Sequence, residues 1–300
     1  MELIDGKAIA AQLVAEVGAG VATLRARSGI VPGLAVVLVG DDPASTIYVR
    51  RKLATTAAAG MRSFEYRLAV DTPQAALLDL IDELNANPDV HGILVQLPLP
   101  PQIEPLLVLD RIAPEKDVDG FHPVNVGRLS AGGGGLVPCT PLGCMKLLDR
   151  VIEEYHGLNA VVIGKSNIVG KPVALLLLER EATVTVTHIY TRGLPDIVRT
   201  ADILVVAAGS PGLVRGDWVK PGAVVIDVGI NRIIGPDGRP IIIGDAVTDE
   251  LGHARAVTPV PGGVGPMTIA CLLENTLRAA RKIVERNDHG IQAADRWRSG

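Results

Sequence analysis

The sequence predicts an α/β protein made of two α/β domains, with a mainly parallel sheet in the second. Short, β-branched apolar runs alternate with amphipathic segments in both halves of the chain, which is typical of βαβ units. The length of 300 residues is enough for two domains of ordinary size. Four consecutive glycines at 132–135 interrupt the alternation, so we expect a flexible loop there, close to a domain boundary.

The first half contains three helix signals and three strand signals. Asp5 is a candidate N-cap, and Asp42 followed by Pro43 combines an N-cap with the residue favoured in the first helical turn. The expected elements are a helix from Asp5 to about Gly29, a strand over 34–39, a helix from Pro43 to about Gly60, a strand over 64–70, a helix from Thr72 to about Asn85 and a strand over 91–97.

The second half repeats the alternation. The expected elements are a helix over 141–156, strands over 160–164, 183–187, 203–207 and 223–228, a hairpin turn over 235–238 and a long helix from about 266 to 288. We therefore expect a first domain over 1–138, with the helix 266–288 packed back on it, and a second domain over 139–265. Residues 289–300 are expected to form a flexible tail.

Composition excludes several classes of protein. The chain has 29 basic and 33 acidic residues, a net charge of −4, so a nucleic-acid partner is not expected. Three cysteines without a C-x-x-C pair argue against a disulfide framework or a zinc site and fit a reducing cytoplasm. The six histidines have no metal-ligand spacing. The acidic start is unlike a secretory signal, and no apolar run reaches the roughly 18 residues of a membrane span.

A glycine turn at 164–170 follows an expected strand and precedes an expected helix. This arrangement presents backbone N–H groups and a helix N-terminus to a pyrophosphate, although glycine turns of this kind occur in many folds. The pattern is G-x-S-x-x-x-G rather than G-x-G-x-x-G. A P-loop is excluded, because Gly164-Lys165-Ser166 lacks the preceding glycine and Gly170-Lys171 is followed by proline.

The end of the next strand bears on the choice of nucleotide. Enzymes that use NAD place an acidic residue there, about 20 residues after the glycine turn, to bind the ribose 2′-hydroxyl. In this chain His188-Ile189-Tyr190-Thr191-Arg192 stands 24 residues after Gly164 and contains no acid. Lys165 and Arg192 are candidates to bind a 2′-phosphate, which favours NADP. The alternative is that both are solvated surface bases.

Tyr48 and Lys52 are four residues apart on an expected helix, so their side chains share one face. A phenol beside an amine suits proton transfer. The alternative is a surface lysine beside a half-buried tyrosine. Short-chain dehydrogenases use the same Y-x-x-x-K spacing, but there it follows the nucleotide-binding half, whereas here it precedes the glycine turn by more than 100 residues.

Three further segments are candidates for ligand contact. Gln96 lies near the carboxyl end of a buried strand, where open α/β sheets bind ligands. Asp119 belongs to a tight K-D-V-D-G segment and is a candidate carboxylate for ligand N–H groups. The stiff, glycine-lined loop 259–268 permits close approach of backbone to a ligand. The structural alternatives are a glutamine bonded to loop backbone, an Asx-turn and a plain loop.

Eight blocks, in this order, resemble the bifunctional methylenetetrahydrofolate dehydrogenase/methenyltetrahydrofolate cyclohydrolase family. The blocks are residues 39–41, 48–52, 92–100, 116–120, 138–141, 164–170, 227–231 and 258–268. Each block alone is weak evidence, but eight in register over about residues 3–285 are highly specific.

The resemblance implies NADP-dependent oxidation of methylenetetrahydrofolate followed by hydrolysis to formyltetrahydrofolate, in a homodimer with a Rossmann-type second domain. It implies that Lys52 is the catalytic lysine, that Tyr48 stacks on or orients the folate, that Gln96 positions Lys52 and that Asp119 holds the pterin. The other implied substrate contacts are Val95, Leu97, Pro261, Gly262 and Gly263. The implied cofactor contacts are Gly164, Lys165, Ser166, Ile168, Val169, Ile189, Arg192 and Ile230.

Two positions depart from the family pattern. Ala54 replaces a second lysine that relatives often carry, and Ile189 replaces a small polar residue or arginine. The second departure bears on the 2′-phosphate contact. Rival hypotheses are another NAD(P)-dependent oxidoreductase, a monofunctional dehydrogenase and a non-catalytic pterin- or nucleotide-binding protein. A lysine pKa near 10.4 has to fall by about 3 units for Lys52 to act as a base near neutrality.

Overall fold

The computed structural model describes residues 1–235 and 238–298, and the side chains of all of these except Ala44 and residues 286–298. The helices are α1 (Gly6–Ser28), α2 (Pro43–Ala58), α3 (Gln74–Ala86), α4 (Pro105–Arg111), α5 (Pro123–Ser130), α6 (Cys139–Leu148), α7 (Gly170–Glu179), α8 (Leu194–Val198) and α9 (Val264–Arg298). The strands are β1 (Glu2–Leu3), β2 (Gly33–Val39), β3 (Arg62–Leu68), β4 (Gly92–Val95), β5 (Asn159–Ile163), β6 (Thr183–Thr187), β7 (Ile203–Val206), β8 (Val224–Asp227), β9 (Asn231–Ile234), β10 (Pro240–Ile243) and β11 (Ala256–Val257).

The chain divides into two compact units. The six-stranded unit comprises Met1–Gln12 and Val126–Cys271, and the three-stranded unit comprises Leu13–Asn125 and the described residues from Leu272 onward. This division differs from the expected boundaries, because residues 1–12, 126–138 and 266–271 group with the six-stranded sheet. For the first residues the reason is that β1 pairs in parallel with β11. A two-residue strand carries no local signal of this long-range pairing.

The sheet of the six-stranded unit is parallel and has the order β1-β11-β8-β7-β5-β6. Strands β5, β7 and β8 are buried on both faces, which explains their continuous apolar sequences. Their side chains form a core with the segments that cover one face of the sheet, including Val198, Val214 and Leu251. Strands β9 and β10 form a separate antiparallel pair, whose predicted turn has residues 236–237 outside the described part.

The three-stranded unit has the parallel order β3-β2-β4. Helix α3 packs on this sheet through Leu77, Ile81 and Leu84, which recur at helical spacing and are fully or almost fully buried. Asp42 caps α2 by accepting a hydrogen bond from the Ser45 backbone N–H at 2.7 Å, as the sequence predicts. Asp5 similarly accepts from the N–H groups of Lys7 and Ala8 at the start of α1.

Three predicted elements differ most in extent. Strand β3 begins and ends two residues earlier than expected, at Arg62–Leu68. The helix expected over 141–156 is α6, Cys139–Leu148, because a turn follows in which the N–H groups of Val151 and Ile152 both donate to the Leu148 carbonyl. Helix α9 runs to Arg298, so it continues through most of the segment expected to be a tail.

In the described part of the chain, one helix, α1, is long and apolar enough to cross a membrane by length and composition alone. Its buried residues Leu13, Val17, Val21 and Leu24 recur at helical spacing and lie on one face. A β-carbon at Gly20 would lie 2.6 Å from a methyl group of Leu277, so α1 packs closely on α9. The apolar face of α1 is therefore accounted for by the core of the three-stranded unit.

Candidate active site

Each of the two parallel sheets has a topological switch point, where successive strands are added on opposite sides of one strand. In the three-stranded unit, β3 and β4 lie on opposite sides of β2, and in the six-stranded unit, β6 and β7 lie on opposite sides of β5. Open α/β sheets bind ligands outside the carboxyl ends of the strands at such points. The predicted site residues after β4, β5 and β8 follow these carboxyl ends.

Lys52 is the centre of a small cluster in the three-stranded unit. It lies on α2, and only 5% of its surface is exposed. Its Nζ atom donates a hydrogen bond to Gln96 Oε1 at 3.1 Å and lies 4.7 Å from the centroid of the Tyr48 ring. The structure therefore brings together the three residues that the sequence identifies, with the amine held between an amide oxygen and an aromatic face.

Gln96 directly follows β4, and its position is fixed by backbone and side chain together. Its N–H donates to the Val37 carbonyl at 2.8 Å, which continues the pairing of β4 with β2. Its Nε2 donates to the Leu97 carbonyl at 2.7 Å, so the amide oxygen is turned toward Lys52. Gln96 therefore makes both a hydrogen bond to loop backbone, at Leu97, and a hydrogen bond to Lys52. Among the neighbouring candidates, Val95 is buried within β4, whereas Leu97 is half-buried after it.

Asp119 lies in a turn that is anchored to β4. The preceding Asp117 bridges in parallel to Ile93, and its carboxylate accepts from the N–H groups of Phe121 and His122 at 3.2 and 2.8 Å. Burial raises the pKa of the Asp117 carboxyl, although its hydrogen bonds oppose the rise. The Asp119 side chain is partly exposed at the surface of this well-braced turn.

Two residues that support this cluster were not identified from the sequence. Asn275 on α9 is buried and donates to the Val118 carbonyl at 2.9 Å, which ties α9 to the turn that carries Asp119. Thr56 donates to the Lys52 carbonyl at 2.8 Å, one helical turn along α2. A buried asparagine on an otherwise apolar face of a long helix was the available signal for Asn275.

In the six-stranded unit, the glycine turn after β5 is closely packed. Gly164 has a φ of +119°, and a β-carbon there would overlap the carbonyl oxygen of Ala207, which follows β7. A β-carbon at Gly170 would overlap the carbonyl oxygen of Gly164. Ser166 Oγ accepts from the N–H groups of Val169 and Gly170, at 3.1 and 3.3 Å, at the start of α7.

These features fit a dinucleotide. Two glycines without side chains leave the backbone accessible at the switch point of the sheet, and the ten-residue helix α7 begins there with its N-terminus at the same edge. Within the turn, Ser166 and Ile168 are exposed and Val169 is half-buried.

Lys165 and Arg192 lie at the same edge of the sheet. Strand β5 pairs with β6 up to Ile163 and Thr187, and both basic residues follow these strand ends with exposed side chains. Ile189, also after β6, is 89% exposed. The structure thus places two basic side chains after neighbouring strands, with no acidic residue between 188 and 192.

The remaining candidates lie in the six-stranded unit. Ile230, after β8, is 62% exposed, and its side chain lies near Gly265 at the start of α9. In the loop before α9, Pro261 is exposed, Gly262 has a φ of +114°, and the carbonyl oxygen of Gly263 would overlap a β-carbon at Gly6. Lys52 and the 261–263 loop therefore belong to different units.

The described residues offer no metal site of the usual kind. Within residues 1–235 and 238–298, no group of three His, Cys, Asp or Glu side chains is arranged to hold a metal ion. Cys139, Cys144 and Cys271 are all buried and none forms a disulfide among the described residues. Burial raises the pKa of the Cys144 thiol to about 12, so it is an inert core residue.

Fold and site together define an α/β enzyme of the dehydrogenase class, with a dinucleotide-binding parallel sheet and a separate unit that carries a buried lysine. Two family profiles match, the catalytic domain of tetrahydrofolate dehydrogenase/cyclohydrolase over residues 4–119 and the NAD(P)-binding domain of the same family over residues 138–284. The chain belongs to the tetrahydrofolate dehydrogenase/cyclohydrolase family, which confirms the resemblance seen in the sequence.

The chain is similar to bifunctional relatives and to solved structures over more than nine tenths of its length. The chain is 72% identical over 280 residues to "Bifunctional protein FolD 1" of Rhizorhabdus wittichii, covering 93% of this chain and 95% of that protein. It is similar to the bifunctional FolD structure from Campylobacter jejuni, with 49% identity, a TM-score of 0.90 and coverage of 94% and 99%. The FolD structure from Trypanosoma brucei, complexed with NADP and an inhibitor, has 44% identity, a TM-score of 0.89 and coverage of 94% and 98%.

Proposed function

We propose that this chain oxidises 5,10-methylenetetrahydrofolate to 5,10-methenyltetrahydrofolate with NADP⁺ and hydrolyses the product to 10-formyltetrahydrofolate. Membership of a family that joins a dehydrogenase and a cyclohydrolase supports both activities. The observation that carries the proposal is the buried Lys52 bonded to Gln96 and lying near the Tyr48 ring, because this cluster supplies the proton chemistry that hydrolysis requires.

The oxidation needs positioning more than acid or base groups. A nitrogen of tetrahydrofolate stabilises the cation that forms when the methylene carbon loses hydride, so no side chain has to take a proton in this step. When bound, NADP⁺ supplies the hydride acceptor. The protein contributes by orienting the pterin through the Asp119 carboxylate and the Tyr48 ring. This holds the methylene carbon in a fixed position relative to the hydride acceptor.

The hydrolysis needs a base. The oxygen of a water molecule forms a bond to the methenyl carbon, and its proton passes to Lys52 Nζ. As the carbon–N5 bond breaks, the hydroxyl group on the tetrahedral carbon releases its remaining proton to solvent and becomes the formyl C=O on N10. N5 keeps the electron pair of the broken bond and takes a proton, which Lys52 is placed to return. The positive charge of methenyltetrahydrofolate beside Lys52 favours the neutral amine, and burial of Lys52 acts in the same direction. Gln96 Oε1 holds the amine in place.

The cofactor residues lie in the six-stranded unit. Backbone around Gly164, Ser166, Ile168 and Val169 would hold the pyrophosphate at the start of α7. Lys165 and Arg192 would bind the 2′-phosphate that distinguishes NADP from NAD, with Ile189 beside them at the strand end. Exposed Ile230 would provide an apolar contact for the cofactor.

The folate residues lie mainly in the three-stranded unit. Tyr48, Lys52, Gln96 and Asp119 would make the specific contacts, with backbone from Val95 and Leu97 between them. Pro261, Gly262 and Gly263 would approach the substrate through backbone, which the glycines and the positive φ of Gly262 permit.

We also propose a cytoplasmic homodimer. Three buried cysteines outside any disulfide suit a reducing compartment. The β9–β10 pair exposes Ile234, Ile241 and Ile242, and clustered exposed apolar side chains of this kind mark association surfaces. Light scattering at micromolar concentration should give twice the mass of one chain, and Ile242→Asp should lower it. A wild-type mass of one chain would contradict the dimer.

The function is tested by spectrophotometric assay of the purified chain. With methylenetetrahydrofolate and NADP⁺, absorbance of the reduced cofactor should rise, and added methenyltetrahydrofolate should be hydrolysed without any cofactor. Oxidation without hydrolysis would indicate a monofunctional dehydrogenase. Binding of both ligands without turnover would indicate a regulatory protein, and turnover of an unrelated alcohol alone would indicate another oxidoreductase.

A further inference from the structure

Two carboxylates are buried at the carboxyl edge of the parallel sheet, and neither was identified as a site residue above. Asp227 is the last residue of β8, and Asp245 follows β10 by two positions. Their exposed fractions are 1% and 0%. Burying a carboxylate is costly, so such groups are held by several hydrogen bonds when a protein retains them.

Asp245 holds two separate segments. Its Oδ2 accepts from the N–H groups of Ala208 and Gly209, both at 2.7 Å, in the segment that follows β7. Its Oδ1 accepts from Asn231 Nδ2 at 2.7 Å, at the start of β9. One side chain thus fixes the chain after β7 and the chain after β8.

Asp227 completes the network from the other side. Its Oδ1 accepts from the N–H groups of Gly229 and Asp245, at 2.9 and 3.0 Å, and its Oδ2 accepts from Ala246 N–H at 2.9 Å. A β-carbon at Gly244 would overlap Asp227 Oδ2, and one at Gly229 would overlap the Asp245 N atom, so glycine at both positions permits the close approach.

The segments held by Asp245 are those that surround the sheet edge. Ala207, directly before the first bonded N–H, packs against Gly164 of the β5 turn. Ile230 stands between Gly229, which donates to Asp227, and Asn231, which donates to Asp245, and it remains 62% exposed. The hydrogen bonds of Asp227 and Asp245 therefore fix both the backbone after Ala207, opposite the glycine turn, and the backbone on either side of the exposed Ile230.

We propose that Asp245 is a positioning residue for the nicotinamide dinucleotide, acting through Ala208, Gly209 and Asn231 to hold Ile230 and the β7 end in their binding geometry. This rests on the proposed binding of NADP in this unit. All three donors to Asp245 are neutral, so the carboxylate acts as a shaped acceptor and not as half of an ion pair. An acceptor with two oxygens is needed because the donors approach from two directions.

An exchange of side chains between positions 231 and 245 tests the proposal. D245N places an amide NH₂ against a donor, whichever way it is turned, and N231D places two carboxylates together. In N231D/D245N the amide oxygen at position 245 accepts from the two N–H groups, and its NH₂ donates to the carboxylate at position 231. The double variant therefore restores the three donor–acceptor pairs made by position 245 and loses only the long 3.4 Å bond from Asn231 Nδ2 to the Ile243 carbonyl. D249N, at an exposed carboxylate nearby, is the matched control.

The readouts are the KM for NADP⁺, the KM for methylenetetrahydrofolate, cofactor-free cyclohydrolase activity and the melting temperature. We expect each single exchange variant to raise the KM for NADP⁺ at least tenfold, with the folate KM and the cyclohydrolase within twofold of wild type. The double variant should return the KM for NADP⁺ to within about threefold of wild type, and D249N should leave it unchanged.

Other outcomes overturn the proposal in distinguishable ways. A wild-type KM for NADP⁺ in D245N would mean that the hydrogen bonds of Asp245 do not position the cofactor. Parallel loss of both activities and of melting temperature, or no recovery in the double variant, would mean a purely structural role. If D245N does not fold, Asn231→Ala is the variant that tests the proposal. It should raise the KM for NADP⁺, by less than the tenfold expected for D245N. An unchanged KM for NADP⁺ in Asn231→Ala would refute the proposal. Failure of the proposed function itself would appear in wild type.

Discussion

At the residue scale, the site depends on a few polar contacts inside apolar surroundings. Lys52 is almost completely buried, yet its amine has a specific partner in Gln96 and an aromatic face in Tyr48. The sequence indicated Tyr48 and Lys52 from helical spacing, because residues four apart share a face. The contact with Gln96 joins residues 44 positions apart, so local patterns indicated only that Gln96 ends a strand, and the family resemblance supplied the pairing.

The first residue-scale prediction concerns cofactor choice. Lys165→Ala and Arg192→Ala should each lower kcat/KM with NADP⁺ about five- to tenfold while sparing NAD⁺, because each would remove a proposed charge-assisted contact between an exposed side chain and the 2′-phosphate. Lys220→Ala is the control, since Lys220 pairs with Asp202 directly before β7, at the opposite edge of the sheet. Equal losses of kcat/KM with NADP⁺ and NAD⁺ would show that Lys165 and Arg192 are solvated surface residues with no contact to the 2′-phosphate.

The second residue-scale prediction concerns Asp119. Asp119→Ala should raise the KM for methylenetetrahydrofolate by at least tenfold and leave NADP⁺ binding nearly intact, because we propose that this carboxylate accepts hydrogen bonds from the pterin. Steady-state kinetics with each substrate varied in turn measures this. Asp71→Ala, in an exposed turn of the same unit, is the control. Unchanged folate kinetics would leave Asp119 as a turn residue only.

At the scale of elements, strands were more predictable than helix ends. Buried parallel strands such as β2, β5 and β7 are short, continuous apolar runs rich in β-branched residues, which is the pattern by which the sequence predicts them. The end of α6 was predicted eight residues too late, because apolar spacing continues through 151 and 152 although their N–H groups fold back on Leu148. The two-residue β1 and the bonds of Asp245 across 36 positions carry no local signal at all.

The turn between β5 and α7 gives an element-scale prediction. Gly164→Ala should abolish NADP⁺ binding and lower the melting temperature, because the new methyl group would overlap the Ala207 carbonyl oxygen and the φ of +119° is unfavourable for alanine. Gly222→Ala is a matched control in the same unit, since Gly222 has a φ of +82° and no heavy atom within 4 Å of the added carbon. Its cost should be limited to about 1–2 kcal/mol. Equal effects of the two substitutions would show that steric overlap is not decisive.

At the scale of the whole molecule, two units with separate cores divide the chemistry. The six-stranded unit carries the dinucleotide edge, and the three-stranded unit carries Lys52, Gln96 and Asp119. The sequence predicted two domains and their order, because the glycine turn and the lysine helix lie in different halves. The grouping of the first residues with the six-stranded unit depends on the pairing of β1 with β11, about 250 residues further along the chain, and no local pattern indicates it.

The pH dependence of stability is a whole-molecule prediction. Burial, with a further contribution from neighbouring Asp245, raises the pKa of Asp227 to about 6 from 3.8. Between these values the folded chain holds a proton that the unfolded chain has released, so this group stabilises the fold below pH 6 and that stabilisation is lost as pH rises through 6. From pH 7 to pH 5, wild type should gain about 1 kcal/mol of unfolding free energy relative to Asp227→Asn. Urea unfolding at both pH values measures this, with Asp249→Asn as control. An identical pH dependence in wild type and Asp227→Asn would contradict the raised pKa.

The proposed hydrolysis depends on the buried amine of Lys52, so Lys52→Met is the decisive substitution. Methionine keeps the length and apolar contacts of the side chain and removes the amine, with Arg51→Met as an exposed control on the same helix. Cyclohydrolase activity should fall by about a hundredfold or more, as is typical of losing a general base. The dehydrogenase should remain measurable in the same folded preparation, because hydride transfer needs no proton acceptor. Wild-type cyclohydrolase activity in Lys52→Met would show that the catalytic base lies elsewhere.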